Sequence, residues 1–64
     1  MTTNDYACLA DFSWRCFRTW DSFYRRAKDP QDAHQFRIQA RYFRRCAIRW
    51  EARLLRSTNQ VKAA

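Results

Sequence analysis

The chain has 64 residues and a formal net charge of +7, with 47% hydrophobic residues, no Gly, a single Pro, three Trp, three Tyr and five Phe. So short a chain forms one domain and buries only about 60% of its unfolded surface, so this many rings need a partner surface and oligomerisation is expected. No run approaches the ~18 apolar residues of a membrane-spanning helix, and no basic segment followed by an apolar core opens the chain, which predicts a cytoplasmic protein without membrane insertion.

Helix 1 is predicted over residues 4–27, with Thr2 or Thr3 as its cap and Asp5 in its first turn. Projected at about 100° per residue, Tyr6, Leu9, Phe12, Ser13, Cys16, Phe17, Trp20, Phe23, Tyr24 and Ala27 fall in one arc, the stripe of a core-facing helix. Trp14 projects well outside that arc. Exposing an indole is costly and interfaces favour it, so Trp14 is a candidate protein contact.

The chain is punctuated once, at Asp29-Pro30-Gln31-Asp32. Asp29 suits an N-cap, Pro30 the first helical position with its fixed φ, and Asp32 the acid-favouring first turn. Helix 1 must stop before this point, and the short connection forces the two helices to lie antiparallel.

Helix 2 is predicted over residues 30–56, where Phe36, Ala40, Phe43, Ala47, Trp50 and Leu54 alternate steps of four and three residues, the heptad spacing. Ala40 and Ala47 leave room for rings of the facing helix, such as Phe17 or Trp20. Ile38, Tyr42, Ile48 and Leu55 lie off the stripe, and residues 57–64 carry no pattern and are expected to be a disordered tail. The expected fold is all-α: residues 1–64 form an antiparallel helical hairpin that dimerises into a four-helix bundle, a homodimer with two-fold symmetry.

Charge is distributed unevenly along this hairpin. Residues 1–32 hold five basic groups against five Asp, whereas residues 33–64 hold Arg37, Arg41, Arg44, Arg45, Arg49, Arg53, Arg56 and Lys62 against Glu51 alone. The whole +7 therefore belongs to the second half. Arg outnumbers Lys eleven to two, a bias toward planar, bidentate recognition of phosphate or carboxylate. Like charges four residues apart on a helix repel by a few tenths of a kcal/mol per pair, a cost that a polyanion would remove.

Catalytic chemistry has little to stand on. The chain has one His and one Glu, and it lacks a Gly-rich phosphate loop, an HExxH and any set that could assemble a Ser-His-Asp triad. His34 projects toward solvent, and Cys8, Cys16 and Cys46 have no chelating spacing, so neither a metal nor a cofactor is expected and the cysteines are read as small, reduced side chains.

The sequence thus predicts a small, non-enzymatic regulatory protein that binds RNA or DNA through helix 2. Arg37, Arg41, Arg44, Arg45, Arg49, Arg53 and Arg56 are the phosphate contacts, with Gln39 and Tyr42 beside them as hydrogen-bonding or stacking groups. The alternative is an inhibitor or regulator that docks on an acidic surface of a partner protein, with Trp14, Ile38, Tyr42 and Ile48 as its anchors. The plainest possibility is a solvated arginine face paired with Asp11 and Asp21 of helix 1.

Overall fold

The computed structural model describes the backbone of residues 2–63 and the side chains of residues 2–60. Two helices make up the molecule, α1 over Thr3–Arg26 and α2 over Pro30–Ala63, joined by three residues and packed along each other. The short connection does make them antiparallel neighbours.

Each helix starts where its sequence signals. Thr2 caps α1: its hydroxyl accepts from the Asp5 N–H at 3.2 Å, and the Thr2 N–H donates to the Asp5 carboxylate at 2.9 Å, a reciprocal capping box. The Thr2 N–H first, and the Thr2 hydroxyl after it, hydrogen-bond the Asp5 carboxylate and hold its carboxyl below the ordinary carboxylate range. At α2, the Asp29 carboxylate accepts from the Gln31 N–H at 2.8 Å and the Asp29 carbonyl from the Ala33 N–H at 2.9 Å, leaving Pro30 at a position whose missing donor costs nothing.

The helices meet along a seam of small residues. Ala10, Ser13, Ala40 and Ala47 are the buried residues among those described, and Ala47 is sealed completely. On α1 the seam runs Thr3, Tyr6, Ala10, Ser13, Phe17, Trp20, Tyr24; on α2 it runs Phe36, Ala40, Phe43, Ala47, Trp50, Leu54, Ser57, both in steps of three and four. Antiparallel register places Thr3 against Ser57, whose hydroxyls share a hydrogen bond, and the rings of Tyr6 and Trp50 6.0 Å apart. Toward the turn, Trp20 and Phe23 both pack on Phe36, at 5.9 and 5.7 Å between centroids. Small residues at the centre let the helices approach closely, and the large rings splay to the two sides, where none is fully buried.

Three expectations are corrected. Phe12, placed in the core stripe, is 59% exposed, because the seam follows a 3.5-residue period through Ala10 and Ser13 and leaves Phe12 more than a third of a turn away. Trp14, placed on the exposed surface, is half-buried: it stands edge-on to Phe17 at 5.7 Å and its indole N–H donates to the Glu51 carboxylate. Residues 57–63 are not a tail but the last turns of α2. Nothing in that stretch breaks a helix, Ser57 is tied to Thr3, and the Thr58 hydroxyl bonds back to the Leu54 carbonyl at 3.0 Å. Ala64 lies outside the described residues.

The result is a rod of 53 × 15 × 13 Å with a radius of gyration of 14.9 Å, well above the ~11 Å of a compact domain of this length. Among the described residues no helix is long and apolar enough to cross a membrane.

Candidate nucleic-acid interface

Residues one step before each seam position flank one side of the hairpin, and residues one step after flank the other. The first side carries Leu9, Cys16 and Phe23 of α1 beside Gln39, Cys46 and Arg53 of α2, and is called here the cysteine side. The second carries Ala7, Trp14 and Asp21 beside Arg37, Arg44 and Glu51, the tryptophan side, and the Trp14–Glu51 hydrogen bond across the helix pair fixes this pairing of flanks.

All seven arginines of α2 are exposed. They do not share a single face. Steps of four residues advance about 40° around a helix and rise about 6 Å, so the series Arg37, Arg41, Arg45, Arg49, Arg53 winds from the tryptophan side, over the outer crest of α2, to the cysteine side. Arg41, Arg44 and Arg45 converge with Ile48 on a hollow of about 240 Å³. At the far end Arg53 and Arg56 join Tyr6, Ser57 and Gln60 around a second hollow of about 310 Å³.

The carboxylates that could have neutralised this surface are engaged elsewhere. Asp11 pairs with Arg15 at 3.0 Å and Asp21 with Arg25 at 3.1 Å, both one turn apart within α1, which overturns the pairing of Asp11 and Asp21 with α2. Glu51 is held by the Trp14 indole. Among the described residues no arginine of α2 is bridged to a carboxylate.

The other candidates divide. Gln39 and Tyr42 are exposed beside the ladder on the cysteine side, and the Tyr42 ring stands edge-on to Phe43 at 5.2 Å. Ile38 and Ile48 are about half exposed, Ile38 on the outer crest and Ile48 beside Glu51, Ala52, Leu54, Leu55 and Thr58 around an apolar hollow of about 580 Å³. Trp14 is the anchor candidate that the geometry weakens, since its ring and its N–H are both engaged within the hairpin. His34 is exposed near the start of α2, and no cluster of three His, Cys, Asp or Glu side chains able to hold a metal occurs among the described residues.

Two features escaped the sequence reading. The Arg53 guanidinium lies 5.0 Å over the Trp50 ring, a cation–π contact that gives this arginine a packing role. Ser57 and Gln60 extend the basic end of the rod because α2 continues past Arg56. The three-residue spacing of Trp50 and Arg53 signals the first; the second was hidden by the polar composition of the last turns. Compared with known proteins, the chain matches no family model, no curated protein and no solved structure.

Proposed function

We propose that this chain is a small, non-enzymatic regulatory protein of the cytoplasm that works as a homodimer and binds nucleic acid through the outer surface of α2. Arg37, Arg41, Arg44 and Arg45, on the tryptophan side and the outer crest of α2, contact phosphates. One observation carries this reading: a run of exposed guanidinium groups lies unbridged by carboxylate among the described residues, while Asp11 and Asp21 are engaged within α1. A duplex or single strand would relieve the repulsion along the run by supplying phosphate at every turn.

A second reading rests on the apolar hollow around Ile48 and Leu55, in which an acidic partner protein is steered by the arginines and anchored by apolar contacts. One experiment separates them. Tagged protein is recovered from cells with and without nuclease, and the absorbance at 260 nm and the bound proteins are measured. Nucleic acid that is carried by the wild type and lost in the Arg41→Glu, Arg45→Glu double variant supports the first reading. A stoichiometric protein that survives nuclease and is lost in Ile48→Asp replaces it with the second.

A further inference from the structure

We infer that the cysteine side of the hairpin is the surface on which a second copy of the chain packs. The inference deepens the dimeric part of the proposed function by naming the face, and it stands or falls apart from the nucleic-acid reading.

Surface area comes first. A folded monomer of this mass exposes about 4,400 Å², whereas the hairpin exposes 5306 Å². The excess of about 900 Å² is close to the ~800 Å² that each partner contributes to a standard interface. It arises because two helices make a single layer, so rings displaced from the small-residue seam have nothing beyond them.

The two sides of the rod are unequal as landing surfaces. From Leu9 to Phe23 of α1 and from Gln35 to Trp50 of α2, the cysteine side presents Leu9, Phe12, Cys16, Phe23, Tyr42 and Cys46 and a single charged group, Arg49, at its outer edge. Phe12 and Tyr42 are each 59% exposed. Over the same length the tryptophan side carries Asp11, Arg18, Asp21, Arg37, Arg41 and Arg44, whose burial would demand six desolvated charges. Aromatic residues flanked by charge make the anatomy of an interface core with its rim.

The rim is self-complementary. At the open end of the cysteine side α1 carries Asp5 and α2 carries Arg53 and Arg56; at the turn end α1 carries Arg26, stacked 5.7 Å over the Phe23 ring, and α2 carries Asp32. A two-fold axis along the rod sets α1 on the partner's α2 and brings Asp5 to the partner's Arg56, and Arg26 to the partner's Asp32. A two-fold axis across the rod sets α1 on α1 and α2 on α2, and brings Asp5 to the partner's Arg26 and Arg56 to the partner's Asp32. In both arrangements every rim carboxylate meets a guanidinium, as an isologous contact requires.

This assignment also divides the ladder. Gln39 and Tyr42 pass under the second copy and Arg49, Arg53 and Arg56 sit at the dimer rim, while Arg37, Arg41, Arg44 and Arg45 remain on surfaces that the second copy leaves free.

Sedimentation equilibrium on the full chain, with circular dichroism to confirm helix content, tests the face. The wild type is expected at twice 7.9 kDa. Phe12→Asp, at an exposed site that the hairpin does not need, should weaken the dimer by about a hundredfold or more and leave the helix signal unchanged. Leu55→Asp, equally exposed on the opposite side, should leave the dimer intact. Alkylation with iodoacetamide gives an independent reading: Cys8, exposed on the back of α1, should react at once in both forms, whereas Cys16 and Cys46 should react slowly in the wild type and quickly in Phe12→Asp. A monomeric wild type, a Phe12→Asp dimer as tight as wild type, or equal protection of Cys16 and Cys46 in the two forms overturns the inference.

Discussion

At the scale of single residues, the start and the middle of α1 show how far local chemistry is readable from the sequence. The sequence leaves the cap open between Thr2 and Thr3, and the capping box of Thr2 with Asp5, three residues on, decides for Thr2. Because Asp5 has a lowered carboxyl pKa in the folded state, its contribution is present above the unfolded carboxylate value and is lost as the pH falls below about 4. The protection of the Asp5 and Tyr6 amides against hydrogen exchange, taken relative to the intrinsic rate at each pH, should therefore fall through that range, and Asp5→Asn should abolish this pH dependence; a wild type with a flat protection profile would refute the role of the box. Trp14 and Phe12 were the residues misplaced, and for one reason. An arc drawn around the largest side chains is pulled toward the bulky residues, whereas the true seam is centred on Ala10 and Ser13, which carry almost no hydrophobic signal. Recentring exchanges the two: Phe12 turns out and Trp14 turns against Phe17 and Glu51. Trp14→Ala should thus lower thermal stability by about 2 kcal/mol, the order expected for a half-buried ring, and should cost more than Leu55→Ala. Equal melting temperatures for the two variants would return Trp14 to the surface.

At the scale of the element, α2 is where the sequence spoke most clearly and where it stopped too early. Heptad spacing from Phe36 to Leu54 identified its inner face in full, and the next position in the series, Ser57, continues the seam with a hydroxyl in place of a methyl. A polar residue at a seam position is invisible to a hydrophobic pattern, so the pattern ends the helix at residue 56, two residues after Leu54. The seam also sets a sharp steric condition. Ala47 has no exposed surface and faces the small centre of α1, so Ala47→Leu must either drive the helices apart or force a strained rotamer. The expected loss is about 1–3 kcal/mol in a urea or thermal melt, although the change adds apolar area and preserves helix propensity. A stabilised Ala47→Leu variant would show that the helices are not in close register there.

At the scale of the whole molecule, the fold was legible because one Pro and two periodic stripes leave few alternatives, while the candidate site was legible only as a composition. The arginines could be counted from the chain, but their winding over α2 and the engagement of Asp11 and Asp21 within α1 depend on which flank faces which, and that follows from the seam. If Arg37, Arg41, Arg44 and Arg45 each neutralise a phosphate, log affinity should fall with log salt at a slope of about −2.8 to −3.6, and Arg41→Glu with Arg45→Glu should flatten it by about 1.4–1.8. A slope near zero in a fluorescence-anisotropy titration would leave phosphate contact without support. The small-residue seam has one more consequence, for the history of the sequence. In most cores the largest side chains are the least replaceable, because removing them opens a void. Here the order inverts: Ala10, Ala40 and Ala47 accept almost nothing bulkier than themselves, while the displaced rings on either side can be traded for other apolar groups as long as a covering surface changes with them. Related chains should therefore keep their smallest residues and drift in their aromatic ones, so that descent in this architecture is recorded in the positions that a hydrophobicity profile weights least.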